Sequence, residues 1–464
     1  MFLRGLILFI PFFISLAFTS VPEVSYLIAW SGSFFIILVS FLGFIRPFSE
    51  SGKILDKPMR PLVLTHLIFS GYMAISSIFY FLRVTGHYYL VKDEFAVVDV
   101  GELLLVAECQ RYYCLGHAAF VVGLFINMNY KFEPRYKIEV VNISGFTLSL
   151  TYFFSILVFF VQLMPGLSQF SMLFSGLSVV ASVISLAYAI PEGKPIQIAI
   201  AGFLFITNEI NALTSGWKEA VIVPIIMLGT YLYPSYKKSV TFAIPVVLGV
   251  YFYFIPTYNN IIRNLSWSGE LDGKSAALVA VESLRNGDED VADNNWEFLT
   301  GRLSEISMFT IYVKEVPKNM DYFGSKIIEQ ALVNIIPRFL FPEKPVTEIL
   351  VMERVVAVGV ISELSIVSAK PPPIADGYMS GGIVGVFFTC FLIGAFASWA
   401  SSKAEYLFGN YLFGSGLIYT GLFQILWRGN CFEFMANSLF WGTIVMYLIF
   451  YIGKVSNIIK EIRY

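Results

Sequence analysis

Apolar runs of about 17 to 22 residues recur along this chain of 464 residues, and a run of that length in a helix crosses a hydrocarbon layer of about 30 Å. Twelve are readable, at about 5–20, 24–45, 61–82, 112–130, 144–164, 171–190, 196–213, 219–234, 240–256, 381–400, 411–427 and 433–453. Composition agrees: 57% of residues are hydrophobic, and 14% are charged against about 25% in soluble domains. That much charge cannot cover a water-soluble fold of this size, which excludes a soluble multidomain enzyme. The chain reads as an all-α polytopic integral membrane protein. A net charge of −2 without a long basic run argues against nucleic acid as a partner. Cys109, Cys114, Cys390 and Cys431 have neither CxxC nor metal-site spacing, so no disulfide framework or zinc site is expected.

The first run lacks a small-residue cleavage site and is followed at once by a second, so it reads as a retained span. Positive charge collects in alternate loops, at Arg46, Lys53, Lys57 and Arg60, at Lys131, Arg135 and Lys137, at Lys194, at Lys237 and Lys238, at Lys403, and in the tail at Lys454, Lys460 and Arg463. The positive-inside bias makes these loops and both termini cytoplasmic. Three regions follow: spans one to nine in residues 1–256, an extracytoplasmic loop domain at 257–380, and spans ten to twelve with a cytoplasmic tail at 381–464. Residues 83–111, rich in acids, are expected to lie along the outer membrane surface before the fourth span.

Within the long outer segment, Trp296, Leu299, Leu303, Ile306, Thr310 and Val313 recur at helical steps, which predicts one helix over 292–316 ended by Pro317. Arg302 falls at the edge of its apolar stripe and Glu305 at the border; the alternative is a solvated i, i+3 pair. A second short helix is expected at about 323–336. The stretch Ile336-Pro337-Arg338 through Lys344-Pro345 is stiffened by three prolines, and its two cations suit either an anionic head group or snorkelling anchors. The turns Thr214-Ser215-Gly216-Trp217-Lys218 and Trp427-Arg428-Gly429 each set a cation at the outer boundary. Glu209 and Glu433 are intramembrane acids that need a partner or water; for Glu209, Lys218 or Arg428 is a choice, and helix packing is another. His66 and His117 read as lone, satisfied interior groups.

With these residues in view, the chain resembles the Wzy-type O-antigen and exopolysaccharide polymerases. The likeness rests on Ser215-Gly216-Trp217-Lys218, on Trp296-Glu297-Phe298-Leu299 leading to Arg302-Leu303-Ser304-Glu305, and on Ile336-Pro337-Arg338 through Lys344-Pro345. It continues in Ala375-Asp376-Gly377-Tyr378-Met379-Ser380-Gly381-Gly382 and in Trp427-Arg428-Gly429, over about 250 residues in order. Relatives commonly show Glu before the tyrosine of the fourth of these, and arginine where Lys218 stands.

The resemblance implies a type C glycosyltransferase-like architecture in the bacterial cytoplasmic (inner) membrane. It implies transfer of a growing chain from undecaprenyl diphosphate onto an incoming lipid-linked oligosaccharide at the outer face, with membrane lipid around it and a Wzz-like chain-length regulator as a partner. No metal, cofactor or nucleotide sugar is implied. Cations stabilise the diphosphate leaving group, and Lys218, Arg302, Arg338 and Arg428, with Lys344, are the candidates. Glu305 and Asp376 are candidate bases for the attacking hydroxyl, and Tyr378 and Trp296 candidate sugar-stacking rings. An O-antigen ligase shares the topology, and a lipid-linked oligosaccharide flippase is the reading from another class.

Overall fold

A computed structural model describes residues 2–46, 56–128, 134–216, 218–287, 291–364 and 368–462. In chain order it contains α1 (Leu3–Ala17), α2 (Pro22–Phe41), α3 (Leu64–Val84), β1 (His87–Tyr88), β2 (Val91–Lys92), α4 (Val100–Asn127) and β3 (Tyr136–Ile138). There follow α5 (Ile143–Gln162), α6 (Gly166–Ala189), α7 (Pro195–Thr214), α8 (Lys218–Leu232), α9 (Lys237–Ser266), α10 (Gly273–Asn286), α11 (Val291–Gly301), α12 (Ile306–Glu315), α13 (Lys326–Ile335) and α14 (Thr347–Ala357). The remainder is α15 (Pro373–Phe408), α16 (Leu412–Leu422), α17 (Ile425–Arg428), α18 (Phe432–Val455) and β4 (Ile459–Glu461). The fold is thus nearly all helix.

Each of the twelve apolar runs falls on a helix. Among the described residues eight helices, 20 to 36 residues long, are apolar enough to cross a membrane: α2, α3, α5, α6, α7, α9, α15 and α18. Three shorter apolar helices cover the first, eighth and eleventh runs, and the fourth run is the second half of α4. Residues 83–111 depart from the expected surface segment. After a β1–β2 hairpin, Asp99 caps α4 by accepting the amides of Gly101 at 2.8 Å and Glu102 at 3.2 Å, so the helix runs unbroken from Val100 into the apolar run.

The chain divides into two compact units. The first is Met1–Ile138, Leu299–Tyr419 and Phe423–Tyr464; the second is Glu139–Phe298 with Thr420–Leu422. These limits do not follow the sequence boundaries at 257 and 380, because residues 257–298 belong to the second unit and 299–380 to the first.

In the first unit α4 lies against α15 with almost no side chain between them. A Cβ at Gly123 would stand 2.1 Å from the Phe391 carbonyl oxygen, and one at Gly394 2.0 Å from that of Phe120. Small residues allow this approach, as is usual between helices in lipid. The helix α15 reverses near its start, where Gly381 and Gly382 leave helical geometry, Gly382 with φ 59° and ψ −139°, open in practice only to glycine. In a straight helix residues eight apart are separated by about 12 Å along the axis. Here a Cβ at Gly385 would come 1.9 Å from the Gly377 carbonyl oxygen, and one at Gly377 2.9 Å from Thr389 Oγ1. Residues 373–380 therefore fold back along the first turns of the long helix. β3 and β4 pair antiparallel, Tyr136 opposite Glu461.

The second unit packs α5 on α6 with hydroxyls turned inward: Ser155 and Ser178 share a hydrogen bond of 2.8 Å, and Ser185 donates to the Ser144 carbonyl at 2.9 Å. Its α10 docks on α9 through Tyr258, Ile261, Ile262, Ala276 and Ala280.

The single helix expected over 292–316 is two. Gly301 ends α11, and Glu305 takes a left-handed conformation with φ 53° before α12 begins. Glycine weakens the helix there, and the Ser304 hydroxyl takes up the Ile306 amide at 3.4 Å. Arg302 and Glu305 accordingly lie in a turn and not on a helix face. The short helix expected at 323–336 is present as α13.

Candidate functional site

The most densely charged buried place in the first unit begins with α14. Val351 and Val355, four residues apart, bury one stripe of that helix and form a small core with Cys431, covered by Met352, Val360, Ile361, Ala369 and Phe434. Arg354 flanks the stripe with its side chain 3% exposed, so its charge needs partners inside the protein. Two carboxylates meet it. Nη1 donates to Glu433 Oε1 at 2.6 Å and Nη2 to Asp376 Oδ1 at 2.9 Å, with longer bonds from Nη2 to Glu433 Oε2 and from Nη1 to Gln330 Oε1, both 3.3 Å. Asp376 sits in the folded-back turn of α15, and its other oxygen accepts the Phe432 amide at 2.7 Å. Burial works against the guanidinium's charge, but Asp376 and Glu433 outweigh it and raise the Arg354 pKa above its ordinary value. One cation faces two carboxylates, leaving one negative charge unbalanced when all three are ionised.

Polar links extend the cluster outward. The Glu433 carbonyl accepts Asn334 Nδ2 at 2.9 Å, and the Asn334 carbonyl accepts Lys344 Nζ at 2.5 Å. Lys344 also donates to the Ile336 carbonyl at 2.8 Å, so its buried ammonium serves the end of α13, a common role for lysine at a helix C-terminus. Burial, and then the nearby charge of Arg338, lower the Lys344 pKa. Tyr312 lies within electrostatic range of Asp376, Arg354 and Glu305; its hydroxyl is buried without a hydrogen-bond partner, as is Arg354 Nε.

The residues singled out in the sequence are distributed as follows. Asp376 joins the Arg354 cluster, and Glu305, half-buried, approaches it through Tyr312. The turn before Glu305 is fastened to α4 by the Tyr113 hydroxyl, which donates to the Ser304 carbonyl at 3.0 Å. Arg338 and Lys344 are neighbours. Arg302 and Arg338 are exposed and Arg428, ending α17, is half-buried, so these arginines are not enclosed in a common buried pocket. Tyr378 is buried, donates to the Val316 carbonyl at 2.9 Å and lacks the open face that stacking on a sugar needs. Trp296 is buried in α11 of the second unit. The Lys218 side chain lies outside the described residues.

Sequence reasoning missed Arg354, whose signal was an arginine beside the apolar stripe of α14 together with an intramembrane Glu433 in want of a partner. It also separated two histidines that meet. His66 Nε2 and His117 Nε2 are 2.8 Å apart, both rings fully buried beside Phe41, Phe69 and Phe120, and both Nδ1 atoms lack a partner. The bond between them requires one proton, so the two imidazoles act as a unit. In the second unit neither buried carboxylate oxygen of Glu209 has a hydrogen-bond partner.

Helices of spanning length, joined by buried ionic clusters, define an all-α protein of membrane-spanning type. The chain belongs to the family DUF8712, described as a domain of unknown function, whose profile matches residues 10–461. No curated protein and no solved structure matches it.

Proposed function

We propose that the protein is a metal-independent membrane glycosyltransferase that polymerises undecaprenyl-diphosphate-linked oligosaccharide repeat units at the outer face of the bacterial cytoplasmic membrane. In this reading all twelve apolar runs cross, both termini are cytoplasmic, and residues 257–380 are extracytoplasmic. The observation that carries it is the position of the motif residue Asp376, held in a folded-back helix by Arg354 and by the Phe432 amide, one hydrogen bond from the segment after the Trp427-Arg428-Gly429 turn.

Two carboxylates already turned to Arg354 leave that cluster no cation to offer a diphosphate, so we assign it positioning. Asp376 and Glu433 fix the two helix starts between which Arg428 is displayed. The leaving group is then served by the exposed cations Arg302 and Arg338 with Arg428, which can place two donors on phosphate oxygens as negative charge develops. Glu305, half-buried in the turn before α12, is the candidate base.

One observation favours transport as a second reading. Glu209 is an acid within the candidate span α7 whose oxygens are unpartnered, and such residues often mark ion or substrate paths.

The test is deletion of the gene, with surface glycan resolved by length and the chain restored as wild type or as Arg302→Ala or Arg338→Ala. Loss of a polymerase leaves single repeat units on the surface, loss of a ligase leaves none attached, and loss of a flippase traps units inside. Full-length glycan with both alanine variants removes the role given to those arginines.

A further inference from the structure

Above the Tyr113–Ser304 fastening, α4 turns a second set of side chains toward α12 and the fold-back of α15. Tyr112 lies 5.1 Å from Tyr378, ring centre to ring centre, and Tyr322 lies 6.2 Å from Tyr378 on the same measure. Phe309, fully buried, packs edge-on to Tyr378 at 5.7 Å and face-on to Tyr113 at 5.4 Å. Tyr378 and Phe309, both buried, thus back the rings of Tyr112, half-buried, and Tyr322, 41% exposed, which are the ones open to a ligand. Tyr322 is held at the reversal of α15, where a Cβ on Gly382 would stand 2.7 Å from its hydroxyl.

Beside this aromatic row stand two charges with capacity to spare. Glu108, one turn before Tyr112, accepts the Tyr112 hydroxyl at 2.7 Å. Arg111 donates from Nη1 to Ser25 Oγ at 2.9 Å. Each is half-buried and feels the other's charge, yet no salt bridge joins them. A carboxylate can accept about four hydrogen bonds and a guanidinium can donate five, so most of both groups' capacity is unspent.

Aromatic faces beside a carboxylate and a guanidinium that do not neutralise each other suit a ligand with an apolar face and many hydroxyls. A pyranose ring has both: its axial C–H bonds pack against aromatic carbon, and its hydroxyls donate to carboxylate and accept from guanidinium. We infer that Glu108, Arg111, Tyr112 and Tyr322 form a saccharide-binding subsite, with the buried Tyr378 and Phe309 backing its rings. Within the proposed glycosyltransferase reading, on which this assignment rests, the subsite holds a sugar of the acceptor oligosaccharide. The Glu305 turn and the subsite are fastened to consecutive residues of α4, Tyr113 and Tyr112.

The experiment is saturation-transfer NMR on the full chain in detergent micelles. The probe is the oligosaccharide mixture released by mild acid from the surface glycan of the cell that makes the protein. Transfer to sugar protons is expected with wild type, with about a tenfold loss of affinity, equivalent to about 1.4 kcal/mol, in Tyr322→Ala and in Glu108→Gln. Tyr112→Phe keeps the ring and is expected to retain most of the transfer. Thermal melting of each variant separates lost binding from lost fold, and Tyr322, being exposed, is the variant least exposed to that ambiguity. Absence of transfer with wild type, or unchanged affinity in both Tyr322→Ala and Glu108→Gln, overturns the subsite. The polymerase reading is judged separately by glycan length after gene deletion. Shortened glycan with unchanged binding in the variants removes the subsite alone, and saccharide binding with unchanged glycan removes the polymerase alone.

Discussion

The two ends of α15 each carry a buried arginine–carboxylate contact, and they are built differently. Near the helix's end, Glu405 meets Arg60 side-on, Nε to Oε1 and Nη2 to Oε2, both at 2.8 Å, and the Ser415 hydroxyl adds a bond of 2.6 Å. The two groups meet in the paired fork geometry that makes such contacts strong. Near the start, Arg354 spreads its nitrogens over Asp376 and Glu433, from two different helices, and leaves Nε unused. The first arrangement is a two-bond lock between two segments. The second is a junction of three segments with two carboxylates on one cation, beside the reversal at Gly381 and Gly382.

The sharpest attack on this contrast is Arg354→Ala. It strands two buried carboxylates and is expected to cost about 3–5 kcal/mol of stability, more than Arg60→Ala, which strands one that keeps its Ser415 bond. Thermal unfolding in detergent reads both, and equal losses would erase the distinction. Next comes removal of a single carboxylate charge. Glu405→Gln breaks the fork to Arg60 and is expected to cost about 3 kcal/mol, whereas Glu433→Gln leaves Arg354 its bond to Asp376 and should cost nearer to about 1 kcal/mol. Gly382→Ala forces a side chain into the fold-back's backbone geometry and against the Tyr322 hydroxyl, an expected loss of about 1–3 kcal/mol by the same melting measurement. The smallest effect concerns Lys344, whose pKa is lowered by burial and then by Arg338. A lysine that titrates lower in the fold than its ordinary 10.5 makes the unfolded chain the better proton binder, so stability rises with pH through the interval between the two values. Arg338→Gln removes a like charge, raises the Lys344 value and narrows that interval, which a titration of the lysine ε-carbon NMR shift detects.

What could be read in advance follows from the range over which each signal acts. A span is a local fact: twenty apolar residues in a row carry their own evidence, and all twelve runs fall on helices. Caps and turns are nearly as local, although Gly301 and Ser304 divide a helix that apolar spacing alone joined. Arg354 was hidden because its partners are 22 and 79 residues away in the chain and its own helix looks like an ordinary amphipathic one. The His66–His117 contact, across 51 residues, was hidden for the same reason. Asp376 was singled out through family motifs, and the fold gave it companions that no motif contained.

The division into units has a consequence for how the protein is made. Residues up to Ile138 and from Leu299 onward build the first unit, with a second unit's worth of chain between them. During synthesis α4 therefore emerges well before α15, the helix it packs against. The glycines of α4 that end up against α15 must wait while about 245 further residues emerge at roughly 5–20 per second. Only when β4 reaches β3 is the earliest segment closed by the latest.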